Sequence, residues 1–130
     1  MVLSWYFPDE ASTTTEAARR YLVRNGAGVP ALWWFEIRNA LAIGERRERI
    51  SCAQTAAILG YIDILPIRID RTPNSDALLA LACAYHLTVY DAAYLELALR
   101  ADAPLATLDQ QLARAARAAQ VPLLGEGDLR

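Results

Sequence analysis

The chain reads as an α/β domain with a mainly parallel central sheet flanked by helices. Short apolar runs (AGVP, LPIRI, PLAT, VPLL) alternate with longer stretches of helical period. Strands separated by helices make βα units, and those build parallel sheets. A third observation bounds the answer. The 130 residues, 55% hydrophobic and 22% charged, carry no repeat, linker or low-complexity tract, so residues 1–130 are expected to form one domain with its own core.

Residues 1–7 (MVLSWYF) suggest an apolar helical turn ending at Pro8. Ser12 to Thr15 offer helix caps, with Thr13 and Glu16 at capping-box spacing. The helix they open should run to about Arg24 and stop at Asn25-Gly26. Ala27 to Pro30 is a buried-strand candidate. The stretch ALWWFEIRNALAIGERRERI is helical in period, apolar nearly all round in its first half and charged at its end. A third helix covers roughly Cys52 to Ile62, and Leu65 to Ile69 reads as a strand. Helices are expected over 75–86 and over Ala92 to Arg100. The tail alternates strand, helix and strand at Pro104 to Thr107, Asp109 to Ala119 and Val121 to Leu124.

Composition removes several function classes. All 13 basic residues are arginine, so a P-loop, which needs GK[ST], and a phosphorelay receiver, which needs a lysine beside its aspartates, are both excluded. His86 is the only histidine, and it sits at a helix end, an ordinary place for one. Cys52 and Cys83 form no CxxC pair and lie in apolar helical patterns, which reads as small reduced core residues. No apolar run approaches the roughly 20 residues that span a bilayer, and no basic leader opens the chain, so a cytoplasmic location without a membrane partner is expected. The net charge of −2 does not advertise a nucleic-acid binder. An RNA substrate would need local arginines and a metal to overcome the overall field. Arg38, Arg46, Arg47 and Arg49 form the densest basic cluster, suited to phosphates or to a solvated helix end.

Most of the 15 acidic residues fall at element ends, in turns, or on helix faces expected to be solvated, as for Glu45, Glu48 and Glu96. Glu36 differs, because it is embedded in LWWFEIRNAL, and a carboxylate is rarely buried without a cation or a metal. Asn39, one turn later, could orient it by a hydrogen bond. Trp33 and Trp34 open the same helix and suit packing or a dimer interface better than base stacking. Asp91 and Asp109 each open a helix, so each could be an N-cap, a ligand or both. Three separated carboxylates converging on one sheet edge would repel one another unless a cation neutralised them. Mg²⁺ or Mn²⁺ suits such an all-oxygen set. A cation there can activate water and stabilise the departing oxygen in phosphodiester cleavage.

The segments WFEIRNAL, TVYDAAYLELA and PLATLDQQLARAA, in this order and spacing, resemble the PIN-domain toxin ribonucleases of the VapC type. The resemblance covers essentially the whole chain. It implies a PIN-like fold, a Mg²⁺-dependent endoribonuclease of a toxin–antitoxin pair, an antitoxin partner, an RNA substrate and homodimerisation. Glu36, Asp91 and Asp109 match three of the family's four acidic positions as catalytic and metal-binding residues. Thr107 matches the polar position that helps orient the site, and Asn39 and Tyr94 match residues beside it. The sequence departs from the family at its start. The family begins with a strand ending in D-x-S, and alignment on Trp5 places that aspartate ahead of Met1, so the first strand and first acidic ligand are expected to be missing. Either the natural protein carries further residues upstream, or the chain is a truncated, catalytically impaired PIN-like module that still binds its partner.

Overall fold

The computed structural model describes residues 13–126. The expected apolar turn over 1–7, and the caps offered by Ser12 to Thr14, lie outside the described residues and side chains. Helix α1 (Thr13–Asn25) ends where Asn25 meets Gly26. Gly26 has φ +76°, and a Cβ there would meet the carbonyl oxygen of Pro66 at 2.9 Å, so the turn into the first strand requires glycine.

Strand β1 (Ala27–Pro30) pairs in parallel with β2 (Ile67–Asp70), in register Ala27 to Ile67 through Pro30 to Asp70. Between them run α2 (Leu32–Arg46) and α3 (Cys52–Ile64). Ser51 opens α3 with a full capping box: its hydroxyl accepts from the Gln54 N–H at 3.1 Å and its own N–H donates to the Gln54 side chain at 2.8 Å. Then follow α4 (Ser75–Tyr85), α5 (Val89–Ala101) and α6 (Gln110–Ala118). His86 ends α4 in the left-handed conformation, φ 55°, and its carbonyl accepts from the Gln111 amide. The tail strands are shorter than expected. They reduce to one parallel bridge between Leu105 and Leu123, fastened by Leu105 N–H to Pro122 O and Leu124 N–H to Leu105 O.

The buried apolar residues fall into two clusters. One gathers Trp33, Ile37, Leu41, Ile50, Ile58 and Ile62 under α2 and α3. The other is built on α5 and α6, around Ala92, Leu95, Leu112 and Ala116. Helix α5 packs on both β1 and α6, and so joins them.

Several expectations are corrected here. Glu96, read as solvated, is only 3% exposed. Its neighbours explain why: Leu95 and Ala98 turn that side of α5 into the core. Its charge is met by Arg100 one turn on, through Nε at 2.8 Å and Nη2 at 3.1 Å. The same guanidinium grips Asp70 at the end of β2, at 3.1 Å and 2.6 Å. Cys52 and Cys83 are exposed, not core residues. Cys52 donates to Glu45, and that bond pushes its thiol up, away from the reactive thiolate form. Helix α3 is apolar all round, yet only Ile58 and Ile62 are buried, which leaves Cys52 and Ile64 outside. No single helix among the described residues is long and apolar enough to cross a bilayer.

Removing Arg100 would strand a buried carboxylate, the costly way to break an ion pair. Arg100→Ala should lower the thermal midpoint by roughly 5 °C or more, against little change for Arg19→Ala, which removes only the exposed Arg19–Glu16 pair. Arg100's hydrogen bonds hold the Asp70 carboxyl below the usual carboxylate range. A depressed folded pKa adds stability above the unfolded value, and that stability is lost as pH falls through the folded value. Asp70→Asn should therefore flatten the acid limb of stability against pH, followed by urea midpoints below about pH 4.

Candidate functional site

A cleft of about 770 Å³ is lined by residues of β1, β2 and α5 and by the chain around Leu105. Glu36, Asp91 and Asp109 all line it, with Tyr94 and Thr107 beside them. Each carboxylate arrives by a different route.

Glu36 lies in the second turn of α2, soon after β1 ends at Pro30. It is exposed, not buried. Helix α2 turns only Trp33, Ile37, Leu41 and Gly44 inward. Phe35 is 70% and Trp34 42% exposed, so the apolar residues flanking Glu36 in sequence do not enclose it in space. Trp34 instead packs edge-on against Phe35 and lies under the Arg38 guanidinium, 3.7 Å from the ring centre. The partner that holds Glu36 is Tyr94, whose hydroxyl donates to Oε1. Asn39 is exposed and makes no hydrogen bond to Glu36 among the described residues.

Asp91 does not cap α5. That position belongs to Thr88, whose hydroxyl accepts from the Asp91 N–H at 3.1 Å. The Asp91 carboxylate thus stands in the first turn, where the helix dipole favours it, and is free for another role. Three residues on, Tyr94 shares its face. The Tyr94 ring packs against the α5–α6 core. Burial of that ring pushes its hydroxyl far above the ordinary tyrosine range, with the Glu36 hydrogen bond and the charges of Glu36 and Asp91 adding to the effect. Tyr94 is therefore a protonated donor at any physiological pH.

Asp109 is the N-cap of α6, with Oδ2 accepting from the Leu112 N–H at 2.8 Å. Thr107 accepts from the Asp109 N–H at 3.0 Å and so fixes the turn that carries it. Among the described residues, no group of three acidic, histidine or cysteine side chains closes to within reach of one metal ion. The structure brings Glu36 and Asp91 together around Tyr94 and places Asp109 on the same cleft without completing a triad. Two hard carboxylates suit Mg²⁺, which is commonly held by one or two of them while waters or phosphates fill the other positions.

The family model for the PIN domain matches residues 1–118. The chain belongs to the PIN-domain family. Its α/β fold, with a small parallel sheet among helices, agrees with that membership. PIN domains are generally metal-dependent nucleases, and the acidic cleft lies among their matched residues. No curated protein and no solved structure matches the chain.

Sequence reasoning missed Arg68, Asp70 and Arg100, which line the same cleft. The signal for part of this was present: Glu96 and Arg100 are four apart, the favourable spacing on a helix. Nothing local in the sequence joins Asp70 to them.

The division of labour on α5 has a direct check. Thr88→Ala should cost about 1 kcal/mol of stability through loss of the cap, while Asp91→Asn should stay within about 0.5 kcal/mol of the parent in urea unfolding. The opposite order would return the capping role to Asp91.

Proposed function

We propose that this PIN domain is a Mg²⁺-dependent endoribonuclease, the toxin of a toxin–antitoxin pair, with Glu36, Asp91 and Asp109 as its acidic residues. The observation that carries the reading is the shared cleft: three carboxylates from three separate segments face one space, and two of them meet at Tyr94. A bound divalent cation would supply charge neutralisation and water activation there. Glu36 and Asp91 would hold it, Asp109 would reach it across the cleft, and Thr107 would keep the Asp109 turn in place. Hydrolysis adds the oxygen of water to phosphorus and breaks one phosphodiester P–O bond, the departing oxygen taking a proton.

For the partners, exposed apolar side chains supply contact area. Trp34 and Phe35 stand out on α2, Ile64 at the end of α3 and Leu79 on α4, and such surface is what a second copy or an antitoxin would cover.

The alternative is a PIN domain that binds its partner without cleaving RNA. The 130-residue chain should cleave RNA with Mg²⁺ stimulation, and Asp91→Asn should lower the rate by at least about 100-fold. Absence of Mg²⁺-stimulated cleavage in that protein would sink the nuclease reading and leave the binding module.

A further inference from the structure

We infer that Arg68 is a phosphate contact, which grips the backbone of an RNA strand lying in the cleft. The inference rests on reading the cleft as the place where RNA lies. It goes beyond that reading by naming the side chain that holds a phosphate apart from the one at the acidic residues.

Arg68 stands exposed on β2, with Gly28 opposite it in the parallel register. Gly28 offers no side chain to cover the guanidinium, so β1 leaves it open to the cleft that both residues line. Asp70 lies two residues on and shares that face of the strand. It would be the natural partner for Arg68, but Arg100 already holds both its oxygens, at 3.1 Å and 2.6 Å. Arg100 is held in turn by the buried Glu96. Arg68 is left without an ion-pair partner among the described residues.

The surroundings favour a phosphate as the missing partner. Beside Arg68 the cleft is lined by Tyr21 and Asn25 of α1 and by Gly26 to Val29, none of them charged. A planar guanidinium presents paired N–H groups that match two phosphate oxygens. Arg68 pairs with Gly28, two residues short of Pro30, where the chain leaves β1 for the helix that carries Glu36. That sets it back along the strand by roughly 7 Å. A cation so placed serves a neighbouring phosphate, while the acidic residues face the one to be cleaved.

The test is fluorescence anisotropy of the full 130-residue chain with a short labelled single-stranded RNA in MgCl₂, its linkages phosphorothioate so that they keep their charge and resist hydrolysis. Arg68→Ala should weaken binding roughly tenfold and make it less sensitive to KCl. Arg68→Lys, which keeps the charge, should recover much of both. Arg114→Ala is the control, because Arg114 is exposed, makes no ion pair among the described residues and lies off the cleft, and its loss changes the net charge equally. Equal losses in Arg68→Ala and Arg114→Ala, or no loss in either, overturn the contact. So does a poly-glutamate bound as tightly and with the same dependence on Arg68, which would mark a site for acidic protein segments. If unmodified RNA is not cleaved but the Arg68 dependence holds, the nuclease reading falls and the contact stands. A parent chain that binds no RNA overturns both.

Discussion

A carboxylate cannot stay buried without a charge partner, and Glu96 is buried. Much of the architecture follows from satisfying it. Arg100, one turn along α5, is recruited to its two oxygens, and the remaining face of that guanidinium is presented to Asp70. Asp70 closes β2, and β2 is locked to β1 in parallel register. One buried charge therefore ties the last turn of α5 to the sheet. From the middle of the helix, Tyr94 reaches Glu36 on α2. The α2–α3 core and the α5–α6 core are separate clusters of apolar side chains, and hydrophobic contact alone is indifferent to direction. The two polar links of α5 supply the orientation that apolar packing leaves open.

The acidic cleft inherits its geometry from those links. Thr88 takes over the orphan N–H group that Asp91 would otherwise have to satisfy, so the aspartate is released from a structural duty. Asp109 is treated differently: it keeps the cap and retains only its second oxygen for other work. Glu36 has no structural duty on its own helix and depends on a neighbour for its orientation. The three residues therefore differ in how tightly they are held. The cap fixes Asp109, the first turn of α5 fixes the backbone of Asp91, and a phenol fixes Glu36.

This explains which parts of the molecule were legible in the sequence. The α/β class and the order of elements could be read from alternating periods, because period and turn residues are local properties. Gly26 and Ser51 stop and start elements through bonds made within a few residues. Burial was less readable. Glu36 sits in an apolar string, yet the string is one turn of a helix with only one side inward. Glu96 shows the reverse error, since its inward placement depends on how α5 lies between β1 and α6. The Tyr94–Glu36 bond joins residues 58 apart. Motif resemblance placed Tyr94 near the site, but neither spacing nor motif could name the group it holds. Caps were separable from ligands only in space, as the exchange of roles between Thr88 and Asp91 shows.

The charge distribution constrains how such a cleft could act on a polyanion. The chain carries net charge −2, and Glu36, Asp91 and Asp109 line the cleft. Arg100 also lines it, but two carboxylates already neutralise that guanidinium, which leaves Arg68 as the lining arginine without an ion-pair partner among the described residues. One such arginine against Glu36, Asp91 and Asp109 gives phosphate no net attraction. On the nuclease reading, cation and RNA must then bind together. The cation reverses the sign of the local field, and a phosphate oxygen takes a coordination position that two carboxylates leave to water. Linkage makes that dependence reciprocal, so each ligand raises the affinity of the other by the same factor. A site with a third and fourth carboxylate in contact would hold the cation without help. On that reading, a cation held by Glu36 and Asp91 is completed by the phosphate it attracts.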